Sequence, residues 1–167
     1  AMAAIQRITP CLWFDDQAEE AVGFYTSIFP RSRVVTISRY GQEGREIHGK
    51  PPGSVLTVAF ELDGQAFTAL NGGPIFKFTE AVSLQVACET QAEVDHYWAK
   101  LSEGGDPEAQ QCGWLKDRYG LSWQIVPRVL IEMMSGPVSD KSERVMKAIF
   151  QMKKLDIGTL ERAYAGR

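Results

Sequence analysis

A repeated order of predicted secondary structure is the feature that most constrains the fold of this chain. Apolar periodicity in the first half predicts a strand, a helix and three further strands, at 8–14, 17–29, 32–40, 54–62 and 65–71. The second half repeats that order, with a strand, a helix, a short strand and a hairpin at 81–88, 90–103, 106–112 and 113–127. The sequence therefore predicts two βαβββ modules in tandem.

Aligning the chain with itself supports this duplication. A shift of 73 residues places Tyr25 over Trp98, and a shift of 56 residues places Phe67 over Trp123. The two shifts differ because the first half carries a longer loop, at 41–53. We interpret the pattern as a duplicated module. The resulting fold class is α+β, with a first module at 1–75 and a second at 76–127.

The character of the chain changes after Pro127, where three short amphipathic segments predict a C-terminal helical extension at 128–167. Asp156 is the predicted N-cap of the last helix. Helices this short are rarely stable alone, so we expect them to pack on the modules or on a second subunit. A chain of 167 residues suits one compact domain.

Charge and composition narrow the classes of partner. Residues 141–167 carry seven Lys or Arg against three acidic residues, while the whole chain has a net charge of −3. These charges alternate with core-type residues, which is typical of solvated helix faces rather than of a nucleic-acid or membrane surface. The chain has no apolar run of the roughly 20 residues that span a bilayer. Three cysteines without C-x-x-C spacing favour a reducing compartment, so we expect a cytoplasmic protein.

Four stretches of the sequence resemble one known family. They are PCLWFDDQAEEAVGFY, LDGQAFTALNGGPIFKF, CGWLKDRYGLSWQIVP and MKKLDIGTLERAYAG. They resemble the PhnB-like branch, often labelled 3-demethylubiquinone-9 3-methyltransferase domains, of the glyoxalase/bleomycin-resistance/extradiol-dioxygenase (vicinal oxygen chelate) superfamily. The resemblance implies a glyoxalase-like fold in which each module curls a small sheet into a half-open cup. It also implies a homodimer.

The resemblance places a metal-binding position on four strands of the modules. Superfamily members with a metal use His or Glu there, and the ion polarises oxygens of the substrate. The matching residues here are Pro10 (or its neighbour Thr9), Thr68, Ser83 and Gln124. None of them has an imidazole or a carboxylate, and neutral hydroxyls and amides bind divalent ions weakly. We therefore expect neither a metal nor another cofactor.

Gln124 is the centre of the predicted ligand-binding residues. Strand alternation puts Ser122 and Gln124 on one face of the last strand. The predicted polar neighbours of Gln124 in the cup are Thr68, Ser83 and Gln85, and Trp114 is a further candidate for the pocket wall. The alternatives are that Gln124 and Ser83 only satisfy each other's hydrogen bonds, and that Trp114 belongs to the core.

Two residues are candidates for a catalytic base. Asp117 lies in KDRYG and His48 in the loop at 41–53. A metal-free lyase or isomerase could use either one. The plainer interpretations are a turn aspartate bonded to the backbone and an ordinary loop histidine.

Three functions follow from these observations. The leading hypothesis is a metal-free homodimer that binds a small organic molecule, and whether it also catalyses a reaction is left open. The second is the lyase or isomerase, and the third an assembly module whose tail helices swap between subunits. Methyl transfer finds no support, because no G-x-G turn follows a strand and opens a helix.

Overall fold

The structure is a computed structural model that describes residues 5–167. The chain divides into two compact units, Ala1–Lys77 and Phe78–Arg167. The elements of the first unit are β1 (Cys11–Phe14), α1 (Ala18–Ile28), β2 (Arg33–Arg39), the short α2 (Arg45–His48), β3 (Val55–Leu62) and β4 (Gln65–Asn71). Apart from the short α2, this is the predicted βαβββ order.

The first unit packs one helix against a four-stranded sheet. The sheet order is β1-β4-β3-β2, with β1 parallel to β4 and the other pairs antiparallel. The apolar face predicted for α1 is buried in full, and consists of Ala18, Ala21, Val22, Tyr25 and Ile28. Val58, Phe60 and Ala69 meet it as fully buried residues of β3 and β4.

Local sequence determines one turn of the first unit, whereas a distant residue caps its long helix. Asp63 and Gly64 both have positive φ, 49° and 78°, as a two-residue hairpin of the favoured twist requires. The helix α1, in contrast, is not capped by a preceding aspartate. Its first N–H, that of Ala18, donates to Oδ1 of Asn71 at 2.8 Å, so β4 caps the helix from 53 residues away.

The second unit contains β5 (Ser83–Cys88), α3 (Gln91–Ser102), a 3-10 helix (Pro107–Ala109), β6 (Trp114–Lys116), β7 (Ser122–Pro127), α4 (Arg128–Met133), α5 (Asp140–Ile149) and α6 (Ile157–Ala165). Its sheet has the order β5-β7-β6, with β5 parallel to β7 and β6 antiparallel to it. The predicted fold class is confirmed: the chain is α+β, with two sheets and C-terminal helices.

The short strand predicted within 106–112 is wrong. Residues 107–109 form a 3-10 helix, and only one isolated bridge, between Gln111 and Trp114, follows it. Pro107 fixes φ at a helical value, and the Asp106 side chain accepts the N–H of Glu108 at 2.9 Å. The second module therefore lacks one of the predicted strands.

The three C-terminal helices build a core of their own. Its buried members are Leu130, Val145, Ile149, Leu155 and Leu160. Asp156 caps α6 as predicted, by accepting the N–H of Thr159 at 2.8 Å. Within residues 5–167, no helix combines the length and the apolar character that crossing a membrane requires.

Candidate functional site

The register of the second sheet places six polar or amphipathic side chains on one face. In parallel and antiparallel pairs alike, residues paired across strands share a face. The first row across the sheet is Ser83, Ser122 and Lys116, and the second row is Gln85, Gln124 and Trp114. We call these six residues the polar face. The opposite face carries Leu84, Leu115, Trp123 and Ile125 and lies toward α3.

A chain of hydrogen bonds crosses the polar face. Nε2 of Gln124 donates to Oγ of Ser83 at 2.9 Å, and Nε2 of Gln85 donates to Oε1 of Gln124 at 3.4 Å. The second bond is long for an N–H donor and correspondingly weak. The structure therefore brings three of the predicted ligand-binding residues together, and Gln124 and Ser83 do bond to each other. Their role toward a ligand stays a prediction.

This chain of bonds leaves hydrogen-bonding capacity unused. A glutamine amide has two N–H donors and a carbonyl with two lone pairs, and a serine hydroxyl has one donor. Among residues 5–167, each of the three side chains has a group that these two bonds do not use. Gln85 is exposed, and Ser83 and Gln124 are half-buried. A ligand could therefore bond to them without breaking the chain.

The remaining two ligand-binding candidates lie in different units. Trp114 is half-buried and is the direct register partner of Gln124, so its ring shares the polar face. Thr68 belongs to the first unit, in β4, where it pairs with Cys11 and its N–H donates to the carbonyl of Pro10 at 2.9 Å. The polar face as defined here belongs to the second unit alone.

His48 is held by the backbone of its own loop. Nδ1 accepts the N–H of Lys50 at 2.9 Å, and Nε2 lies 3.1 Å from the carbonyl of Glu43. The ring also stacks on Tyr40, with 4.4 Å between ring centroids. Since Nδ1 accepts a hydrogen bond from the Lys50 N–H, Nε2 must carry the ring proton and donate a hydrogen bond to the Glu43 carbonyl. The lone pair that a general base needs is already in use, and the role of His48 as a base stays a prediction.

Asp117 has a similarly complete set of partners. Oδ1 accepts the N–H groups of Tyr119 at 2.8 Å and Leu121 at 3.1 Å, and Oδ2 accepts the indole N–H of Trp123 at 2.9 Å. The residue is only 2% exposed. The carboxylate thus holds the turn between β6 and β7, as the plainer interpretation expects, and its role as a base also stays a prediction.

The residues present do not fit a divalent metal. Within residues 5–167, no group of three or more His, Cys, Asp or Glu side chains comes together in a way that could hold an ion. The polar face offers hydroxyls, amides and an ammonium group, and that ammonium would repel a cation.

Sequence reasoning missed Lys116 as a member of the polar face, and it placed Ser122 beside Gln124 without naming it as a ligand-binding residue. Lys116 forms an ion pair with Glu80, and Ser122 is 1% exposed with no hydrogen-bond partner for its Oγ within residues 5–167. Alternation along β6, which places Lys116 with Trp114, was the signal that could have found the lysine. The Lys116 ammonium, by its hydrogen bond, holds the pKa of the Glu80 carboxyl below its usual value.

Comparisons with known proteins agree with this fold. The family model described as 3-demethylubiquinone-9 3-methyltransferase matches residues 6–126. The PhnB protein of Bacillus cereus, described as a putative 3-demethylubiquinone-9 3-methyltransferase, is 40% identical in sequence to this chain. The match covers 73% of this chain and 99% of that protein, with a TM-score of 0.62. A protein of Staphylococcus aureus is 30% identical, with 74% and 97% covered and a TM-score of 0.33.

A more distant structure shares the fold alone. The genomically encoded fosfomycin resistance protein FosX of Listeria monocytogenes is 15% identical, with 80% of this chain and 100% of that one covered, and has a TM-score of 0.53. No curated protein matches the chain. The family match spans well over half of the 167 residues. The chain therefore belongs to the 3-demethylubiquinone-9 3-methyltransferase family, and it has the glyoxalase-like fold that the sequence predicts.

Proposed function

We propose that this protein binds a small organic molecule on the polar face of its second sheet, without a metal. The observation that carries the proposal is the chain of hydrogen bonds from Gln85 through Gln124 to Ser83. Two of its residues, Ser83 and Gln124, lie at strand positions where metal-dependent members of the superfamily, as the resemblance implies, have His or Glu. An amide and a hydroxyl replace metal ligands there with groups that both donate and accept hydrogen bonds.

The chemistry of the polar face suits a ligand with oxygen atoms and some apolar surface. Binding sites commonly combine a few fixed polar groups with aromatic walls. The strands fix the backbone of Ser83 and Gln124, and their mutual bond fixes the amide plane of Gln124. Trp114 supplies an aromatic ring beside that amide. Such a site recognises a carbonyl, carboxyl or hydroxyl group.

Binding is better supported than the alternative, a metal-free lyase or isomerase. That reaction needs a base with an available lone pair near the substrate. Asp117 accepts three N–H donors in a buried turn, and both ring nitrogens of His48 bond to the backbone. Neither carries the arrangement that proton abstraction requires.

A screen followed by a variant tests the proposal. The full-length protein is screened by thermal shift against a metabolite library, and retained ligands are identified by native mass spectrometry. Gln124→Met keeps the side-chain volume and removes both hydrogen bonds. Losing one ligand hydrogen bond costs about 1 kcal/mol, and the disturbed network costs more, so we expect the dissociation constant to rise roughly tenfold.

Gln151→Met is the matched control, since Gln151 is an exposed glutamine of the same unit outside the polar face. Equal affinity in wild type and Gln124→Met would overturn the proposed site. The metal-free part has a separate test, which is elemental analysis of protein purified without chelators. A stoichiometric divalent ion that disappears in Gln124→Met would contradict it.

The homodimer and the cytoplasmic location that the sequence leads us to expect stay predictions. Sedimentation velocity of the full-length chain tests the first. A single species with the mass of one chain, over a wide range of concentration, would contradict it.

A further inference from the structure

The first row of the polar face differs in chemistry from the second. It consists of Ser83, Ser122 and Lys116, paired directly across β5, β7 and β6. We call it the hydroxyl row. Two hydroxyl groups and an ammonium group side by side provide donors of hydrogen bonds. This is the set of groups that binds an oxyanion.

Ser122 shows that the row is incomplete as it stands. The residue is 1% exposed, and its Oγ has no hydrogen-bond partner within residues 5–167. Buried hydroxyl groups are nearly always bonded, because a buried polar atom without a partner costs free energy. The hydroxyl of Ser83 accepts a hydrogen bond from Gln124, and its own O–H group is still able to donate one. Both serines can therefore donate to an acceptor that reaches the row.

Lys116 already holds a carboxylate, that of Glu80. The Glu80 side chain is 61% exposed, while that of Lys116 is only 29% exposed. Glu80 lies outside any helix or strand, on the segment that precedes β5. The ion pair with such an exposed carboxylate is weak, since surface ion pairs contribute little to the free energy of unfolding. A carboxylate from another molecule can therefore replace Glu80 at Lys116 with little loss of stability.

We infer that the hydroxyl row is an oxyanion subsite, in which Ser83, Ser122 and Lys116 bind the carboxylate of a small organic acid and Glu80 occupies Lys116 until the ligand arrives. This inference rests on the proposed function, because it names the ligand class for the same face. A phosphate group presents the same chemistry to the row. The Ser122 hydroxyl is buried, so a ligand reaches it only when neighbouring side chains move.

NMR titration of the full-length protein tests the inference. Sodium acetate, inorganic phosphate and the neutral acetamide are added at constant ionic strength, and the backbone amide signals of the three residues are followed. Acetate is expected to give saturable shifts at the hydroxyl row, and acetamide none. A higher affinity for phosphate than for acetate would assign the subsite to phosphate groups, and the reverse to carboxylates.

Variants separate an oxyanion subsite from a general charge effect. Lys116→Met is expected to weaken acetate binding at least roughly tenfold, as loss of a charge-assisted bond does. Glu80→Gln removes the competitor and is expected to strengthen binding by about threefold or more. Glu103→Gln is the matched control, since Glu103 pairs with Arg118 elsewhere in the unit and its side chain is 68% exposed. It should leave the affinity for acetate unchanged.

Ser122→Ala guards against a purely structural explanation. It removes a hydroxyl that has no partner, so it should not lower the unfolding temperature of the free protein, yet it should weaken acetate binding. Wild-type affinity in both Lys116→Met and Ser122→Ala would overturn the inference. Equal binding of acetate and acetamide would also overturn the inference. If Gln124→Met still weakened the binding of a ligand found in the screen, the proposed function would stand although the oxyanion subsite had been refuted.

Discussion

Asp117→Asn should lower the free energy of unfolding of the protein whether or not a ligand is bound. The carboxylate accepts three N–H groups, and an asparagine side chain can keep only the two backbone bonds at one oxygen. Its amide N–H₂ then faces the indole N–H of Trp123, a residue only 3% exposed. A bond to a charged group is lost and a buried donor stays unsatisfied, which together cost about 2–4 kcal/mol.

Urea unfolding followed by circular dichroism measures this cost. For a chain of this size, 1 kcal/mol lowers the unfolding temperature by roughly 2–4 °C, so a parallel thermal scan is expected to show a fall of about 4–16 °C. Asp106→Asn is the control, because Asp106 is an exposed aspartate that also accepts a backbone N–H, and asparagine can replace it there. It should change the free energy of unfolding by less than about 0.5 kcal/mol.

A double-mutant cycle with Trp123→Phe isolates the indole bond. In that background Asp117→Asn should cost less than in wild type, by about 1.5–3 kcal/mol. The reasoning is refuted if Asp117→Asn unfolds at the wild-type urea concentration, or if its cost is the same with and without the indole. The carboxylate would then be available for chemistry, and the lyase or isomerase alternative would regain its base.

Further predictions concern packing, the extension and pH. Gly72→Ala should cost about 1–3 kcal/mol, because its Cβ would overlap the Trp13 ring. Gly23→Ala on α1 meets nothing within 4 Å and should gain about 0.5–1 kcal/mol. Urea unfolding measures both effects, and a change in the free energy of unfolding of the same sign in both variants would contradict the packing. Ending the chain after Pro137 should expose the core of the extension and raise dye binding; an unchanged urea midpoint would refute this. Burial raises the pKa of Cys88 to about 12, from an ordinary value of 9.0. The unfolded thiol ionises first as pH rises above 9.0, so stability should fall between these values. Cys88→Ala should flatten that loss in urea titrations at several pH values, and an identical pH dependence in this variant would refute the assignment.

The elements predicted correctly are those that neighbouring residues determine. The 3.6-residue periodicity of residues 17–29 predicts the buried face of α1, and Asp63-Gly64 between two alternating runs predicts the β3–β4 hairpin; both are confirmed. The sequence also predicts Asp16 as the N-cap of α1, which is wrong, because the first N–H of the helix bonds to Asn71 in a distant strand. The strand predicted before Cys112 was wrong because Pro107 and the Asp106 side chain favour a turn that apolar spacing does not reveal.

In the candidate site, too, neighbouring residues in the sequence were placed correctly, whereas the distant contacts of Lys116 were not predicted. Alternation within β7 was enough to place Ser122 beside Gln124. The sequence also named Gln85 as a neighbour of Gln124, but the bond between them and the place of Lys116 in the first row follow from the pairing of β7 with β5 and with β6. Cross-strand register depends on how the strands pair in three dimensions, and a single sequence does not contain it. The Glu80 partner of Lys116 was hidden because Glu80 lies outside any strand, where no periodicity places it beside β6.

The extension also dictates when this protein can finish folding during its synthesis. Its core joins Leu130 to Leu160, and a side-chain bond from Gln91 reaches the N–H of Ile157 at 2.7 Å. Translation proceeds at about 5–20 residues per second, so the first unit is complete seconds before the last helix emerges. The second unit must wait until α6 has been synthesised. Ribosome-bound chains halted at residue 150 should therefore show a protease-resistant first unit and a sensitive second unit, and equal resistance would disprove this order.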